Sequence, residues 1–494
     1  MVIIGEVVAE PELEFGGGGR HIDIRYGLRE FGPFDQDETD SPKQISVGLI
    51  GTNETVEAAA KWIDQCRSGV SAKATPRPHL FPAFPGFGSG GRLVPVEHSD
   101  RLTRVINRKS IDELVGRKRN EQLIRDSAGL FLAEARHLVE DANPDVLICL
   151  PPANLMGALD PDPLARAVPR PRWSQPASIE ASEDEVVVPP PDFHDVLKAD
   201  GMTLPCPIQM MRAETYDPTK ARTQRRRVER VAPLQDQATR AWNVYTALYY
   251  KAGGTPWRLR RSSSDLTVCF VGVSFYKSAE GDRLMTSMAQ VFNELGDGVV
   301  VRGGPARIEK VDRQPHLTAD DASGLLRQAL ETYRREHKAL PARLVVHKTS
   351  NFNAVELDGF RSAAAEAGVD WVDLVSLRKS RTRLFRTAPQ PPLRGTFVSF
   401  DDRTHLLYTR GSVDFFRAYP GMYVPRAVEI HTDSVEATPA TLVREILALS
   451  KMDWNNTQFD RGEPVTTRVA RQVGNILRQI GPAGVIRSRY SYFM

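Results

Sequence analysis

The sequence predicts an α/β protein of two domains, and three observations lead there. The chain has 494 residues, more than a single hydrophobic core ordinarily organises. Short apolar strands alternate with amphipathic helices along most of it, the pattern of strand layers covered by helices. A second run of this alternation begins near residue 264, after the connecting stretch "KAGGTPWRLRRSSS".

Composition sets outer limits. Hydrophobic residues make up 41% and charged residues 26%, which suits a folded globular chain. Lys and Arg total 65 against 62 Asp and Glu, so global charge does not announce a polyanionic partner, and such a signal has to be local. Cys66, Cys149, Cys206 and Cys269 lie far apart without a CxxC pair. That argues against a zinc site and predicts reduced, buried thiols. No signal peptide opens the sequence and no apolar run approaches the ~20 residues of a membrane helix, so the expectation is a cytoplasmic protein.

Taken in order, "EPELEFGGGGRHIDIRYGLREFGPFD" mixes strand-like runs with turns. Its glycines at 16 to 19 lack both the Gly-Lys-Ser ending of a P-loop and a dinucleotide fingerprint, and read as a flexible turn. "QISVGLIGT" is a strand, and "ETVEAAAKWIDQCRSG" is an amphipathic helix closed by glycine. Helical periodicity runs through "SIDELVGRKRNEQLIRDSAGLFLAEARHLVED", and "PDVLICLPP" is a short apolar strand. The Pro-rich, acidic segment 159–191 reads as a loop within the first domain. In the second run, "LTVCFVGVSFY", "GDGVVVRGG", "ARLVVHKTS", "VDWVDLVSL", "RGTFVSF" and "THLLYTRG" are strands. "ASGLLRQALETYRREHK", residues 353–367, "TPATLVREILALSKM" and "VTTRVARQVGNILRQI" are helices.

Basic residues concentrate in "GRKR" (116–119), "KARTQRRRVER" (220–230), "WRLRRSSS" (257–264) and "LRKSRTRLFR" (377–386). Converged on one channel, these runs would neutralise a nucleic-acid backbone; apart, they are solvated faces. A second local signal is "DFHDVLKADGMTLPCPIQ". On a helix His194 and Lys198 share one face, because residues four apart are neighbours there. Gly201 and Pro205 end that helix, "IQMM" starts a strand, and Gln209 can return to the same place. The donor cluster suits an anion such as phosphate. A surface helix carrying His and Lys for solubility is the plainer alternative.

These motifs together resemble the MID and PIWI domains of Argonaute proteins. "HDVLK … Q" resembles the family's pocket for the 5′-phosphorylated end of a guide strand, and "YYKAGGTPW" supplies the further lysine before a Gly-Gly pair. By that match His194, Lys198, Gln209 and Lys251 form the pocket. "CFVGVSF", "ARLVVHKTSNF", "SRTRLFR", "RGTFVSF", "YPGMYVP" and "MDWNN" are similar to PIWI landmarks, and "SRYSYFM" resembles termini tucked between the two domains. The resemblance implies a Rossmann-like MID domain at 106–258, an RNase H-like PIWI domain at 259–494, and a lead-in at 1–105 packed on both. It also implies guide-backbone contacts from Lys379 and Arg383, and allows a Mg2+ ion at the guide end with the C-terminal carboxylate of Met494.

The catalytic pattern departs from the family. An active PIWI site needs carboxylates that hold two divalent metals about 4 Å apart. Here Ser274 follows Gly272-Val273, Thr349 follows His347-Lys348, and Arg471 falls at the last ligand position. A hydroxyl does not replace a bridging carboxylate, and a guanidinium repels metals. Asp265, Glu356 and the pair Asp401-Asp402 are nearby acids, but using them needs register shifts that turn strand faces over. The resemblance is therefore to short prokaryotic Argonautes that do not cut. These act as heterodimers with an APAZ-containing effector, sirtuin-like, TIR or nuclease, and its NAD-depleting or nucleolytic activity protects the population. Under that reading the chain binds a small guide RNA and senses complementary single-stranded invader DNA. The alternatives are an active guide-directed nuclease, a guide-binding protein acting alone, and a metabolic enzyme, for which neither a cofactor loop nor a GxSxG elbow is present.

Overall fold

The computed structural model describes residues 4–88, 91–117, 121–159, 191–217, 219, 234–260, 266–279, 281–292, 298–385, 387, 390–421, 424–458, 461–481 and 484–494. Most of the Pro-rich loop, the basic run 220–230, parts of the three other basic runs, and Asp265 lie outside these residues.

The smaller sheet is parallel and has Ile45–Gly51 and Val146–Leu150 at its centre. Val96–Glu97 and Thr103–Val105 both pair with Ile45–Gly51 on its outer side, and Ile208–Met210 pairs with Val146–Leu150. All five residues of VLICL are buried, as a continuous apolar run with both faces covered requires. The helix Asn53–Arg67 packs one face through Val56, Ala59, Trp62 and Ile63. The helix Glu121–Asp141 packs the other through Ile124, Phe131, Leu132 and Leu138. The sheet therefore crosses the expected division at residue 105: Ile45–Gly51 lies before it and Val146–Leu150 after. The long helical stretch from residue 110 divides into two helices, Arg108–Val115 and Glu121–Asp141.

The larger sheet has ten strands. Val268–Lys277, Arg343–Lys348 and Trp371–Lys379 run parallel side by side. Leu284–Phe292 and Gly298–Ile308 continue one side antiparallel, and Val428–Ser434, Thr404–Leu407 and Thr396–Ser399 continue the other. This is an RNase H-like order. Leu284–Phe292 and Val428–Ser434 are strands that the sequence pattern did not single out. Ile4–Val7 adds an edge strand beside Thr396–Ser399, so the lead-in is built into this sheet as well as the smaller one.

Helices Ala319–His337 and Ala354–Ala367 cover one face of the large sheet, sharing a core with Cys269, Val271, Val273, Leu344 and Val346. Val465–Leu477 covers the other, with Phe270, Tyr276 and Val345. Period-two alternation in Val268–Lys277 sends successive side chains to these two cores. Gly272 lets the helix come close, since a Cβ there would lie 2.1 Å from the Thr466 carbonyl oxygen. Gly272→Ala is expected to lower stability by about 1–3 kcal/mol through forced separation. A urea midpoint equal to that of the parent would contradict this close approach.

All four cysteines are free and buried. Among the described residues no helix is long and apolar enough to cross a membrane.

Candidate anion-binding site

The site is assembled at two helix ends. Asp192 starts the helix Phe193–Asp200 by accepting the His194 amide at 2.8 Å, and Gly201 closes it. Phe193, Val196 and Leu197 anchor its apolar face, and Lys198 is carried inward with them in the last turn. Lys198 is only 2% exposed, and its Nζ donates to the carbonyl of Ile208, in the strand that holds Gln209. The helix Gln237–Lys251 starts on an Asp236 cap and delivers Lys251 at its final residue. Gly253, at φ 99°, takes a left-handed conformation that turns the chain away just beyond it.

Lys251 is 4% exposed and its Nζ has no hydrogen-bond partner among the described residues. A buried ammonium without an acceptor is costly unless it sheds its proton or gains an anion. Burial pushes the Lys198 amine down to about 7, against the opposing pull of the Cys149 thiol. Burial, and then the like charge of Lys198, hold Lys251 well below the usual lysine range, while Asp453 pulls it back up. The two amines thus lie within electrostatic reach of each other.

The other two expected pocket residues are placed less simply. His194 sits at the solvent edge, with Nδ1 3.1 Å from Oδ1 of Asp195. Gln209 donates its amide to the Met210 carbonyl at 3.0 Å, and its buried Oε1 has no partner. Lys198 and Lys251 are therefore the pair that the fold brings together. His194 and Gln209 flank them with their donors turned to other groups.

The sequence reading missed the residues behind Lys251. Asp453 is buried and ion-paired to Arg461 at 3.3 Å and to Arg468. Burial pushes its carboxyl up, but the two guanidiniums outweigh this and hold it below the ordinary range. This carboxylate is thus already engaged by two guanidiniums. The C-terminal tail closes this end of the site. Arg487 donates to the Met202 and Leu204 carbonyls, Tyr492 donates to the Pro205 carbonyl at 2.6 Å, and Tyr490 and Met494 are buried. "MDWNN" was visible as a landmark, but nothing local ties Asp453 to Lys251, about two hundred residues earlier.

In the large sheet the hydroxyl of Ser274, on Val268–Lys277, lies 3.4 Å from that of Thr349, just past the end of the neighbouring parallel strand Arg343–Lys348. These two positions do converge, and no carboxylate side chain stands at either. Arg471 is bound to Glu463, which also holds Lys379 at 2.9 Å. Burial pushes the Glu463 carboxyl up, and Arg471 and Lys379 more than reverse it. Lys379 is thereby engaged inside the protein, while Arg383 donates to the Ser380 and Thr382 carbonyls at 3.1 and 2.9 Å. Among the alternative acids, Glu356 is fully buried against Lys348 and His316, and Asp401 caps its own turn by accepting the Arg403 and Thr404 amides.

A family model described as the Piwi domain matches residues 188–480. The chain belongs to the Piwi-domain family. The match contains both the lysine pair and the Ser274–Thr349 pair. Among solved structures, the chain resembles Clostridium butyricum Argonaute bound to a guide DNA and a 19-mer target DNA, with 15% identity and TM-score 0.62. That alignment covers 99% of this chain and 54% of the other. Drosophila Piwi aligns with 12% identity and TM-score 0.58, covering 99% and 56%. Aa-Ago with externally bound siRNA aligns with 13% identity and TM-score 0.57, again covering 99% and 56%. The chain thus spans about half the length of these structures, and the likeness establishes an Argonaute-like fold. A search of curated proteins gave no significant match.

Proposed function

We propose that this Piwi-domain protein is a guide-binding Argonaute that senses a complementary target without cutting it. The observation that carries the reading is the buried lysine pair with the unpartnered Lys251 Nζ, a site complementary to a terminal phosphate. Charge-assisted bonds from both ammonium groups would hold the 5′-phosphate of a small guide, with RNA as the expected chemistry. His194 and Gln209 would reorient toward it. The backbone of the guide–target duplex would then lie against basic residues, Arg383 among them, leaving sequence readout to base pairing.

Hydroxyls at Ser274 and Thr349, with Arg471 held by Glu463, support the absence of slicing. Two metals need bridging carboxylates that this arrangement lacks. The chain would then work as a short MID–PIWI sensor for an APAZ-containing effector on another chain, whose NAD-depleting or nuclease activity follows target recognition. Coupling requires that the duplex bind the active arrangement of the complex more tightly than the resting one.

The test is to purify the chain with the product of its genomic neighbour and end-label the nucleic acid that accompanies it, with and without prior phosphatase. A small RNA that labels only after phosphatase treatment is expected. A complex that carries no small nucleic acid, and binds no added 5′-phosphorylated strand, removes the guide-binding reading. Divalent-metal-dependent cleavage of a paired target by the isolated chain would remove the non-cutting one.

A further inference from the structure

Two ammonium groups enclosed together without a free counter-ion are unstable as charges. Among the described residues Lys198 keeps one hydrogen bond, to a neutral carbonyl, and Lys251 keeps none. Taking an unpaired charge out of water costs several kcal/mol, and a lysine relieves that cost by losing its proton. Asp453 is the carboxylate that faces Lys251, and it is already shared between Arg461 and Arg468.

We propose that Lys198 and Lys251 stand uncharged in the empty site and are protonated when a terminal phosphate enters, so that binding is coupled to proton uptake. This rests on the phosphate reading of the site and adds its regulation by pH. Each Nζ lone pair takes one proton from solvent as the phosphate dianion arrives, and no other covalent bond changes. The site would favour a ligand that brings two negative charges, because a single charge compensates one lysine at most.

The surrounding groups leave the lysines in control of the pH response. Cys149 faces Lys198 from the strand Val146–Leu150, and Cys206 lies behind Cys149. Burial pushes both thiols up to about 12, so they stay neutral near physiological pH. Burial also raises Tyr490 of the tail, which faces Asp453, Arg461 and Arg468. Asp453 stays ionised between its two arginines. His194 and Asp195 lie on the Lys198 helix at the solvent edge. The ligand's own phosphate has its second pKa near 6 and is a dianion above about pH 7.

Calorimetric titration of the full chain with an RNA oligonucleotide carrying a 5′-phosphate, at about pH 8 in buffers of different ionisation enthalpy, counts the protons. About one to two protons should be taken up per strand, and Kd should rise roughly 10- to 100-fold per pH unit above about pH 7.5. Lys198→Met and Lys251→Met should each lower the count. Tight phosphate-dependent binding with the same heat in every buffer would overturn the proton coupling and leave the phosphate site standing. Equal affinity for the 5′-phosphorylated and 5′-hydroxyl strands would overturn both.

Discussion

Lys251→Met is expected to reduce sharply the preference for a 5′-phosphorylated strand over its 5′-hydroxyl counterpart. The substitution keeps the length of the side chain and removes its only polar atom. A hydrogen bond to a charged group contributes about 1.5–3 kcal/mol, so roughly 10- to 150-fold in affinity should go with that atom. The loss should fall on the phosphorylated strand alone, because contacts along the sugar-phosphate backbone do not depend on Lys251. The folded protein should not suffer, since an unpartnered buried amine contributes no hydrogen bond in the empty state. Methionine in its place should leave the thermal midpoint unchanged or raise it. Competition binding with both strands checks the first expectation, and a thermal melt checks the second. An unchanged preference would place the phosphate elsewhere.

Glu356→Ala is expected to destabilise the protein by about 3–5 kcal/mol, the usual consequence of removing one partner from a buried ionic cluster. Its carboxylate accepts from Lys348 at 2.7 Å, from the Leu317 amide at 2.8 Å and from the Asn353 amide at 3.1 Å, and lies 2.8 Å from His316 Nδ1. With Asn353 it also closes a reciprocal cap on the helix Ala354–Ala367. Truncation leaves Lys348 buried without its counter-charge and uncaps the helix together. Typical domains hold only about 5–15 kcal/mol in total, so the loss should be plain in urea denaturation. Glu356→Gln keeps the shape and one acceptor and should cost less. A change under about 1 kcal/mol in the alanine variant would contradict the network. The same geometry commits the Glu356 oxygens to partners within the fold, on the face of the sheet opposite the helix Val465–Leu477.

Much of the site was legible because its signals are local. The four-residue spacing of His194 and Lys198, the helix stop at Gly201 and the strand beginning near Ile208 all lie within one short stretch, and the structure has each of them. Ser274 and Thr349 were paired through motifs on two strands, and their hydroxyls do meet. What misled was side-chain direction. Spacing places His194 and Lys198 on one face, but it does not say that Asp195 takes up the imidazole or that Gln209 turns its amide to its neighbour's carbonyl. Lys379 was a backbone contact only by resemblance, and its ion pair with Glu463, more than eighty residues later, had no local signal.

By itself the sequence determined two alternating α/β runs, the helix that carries Lys198, the lysine before Gly253-Gly254, and the strand that bears Ser274. Periodicity, capping and turn chemistry act over a few residues, so one chain suffices to read them. Only the tertiary structure decided that Ile45–Gly51 joins the same sheet as Val146–Leu150 and that Ile4–Val7 edges the larger sheet. It alone placed Asp453 and its arginines behind Lys251 and sealed that end with the C-terminal tail. Burial and long-range Coulomb forces belong to the packed arrangement and to no single segment, and they set the charge of a lysine whose sequence neighbours carry none.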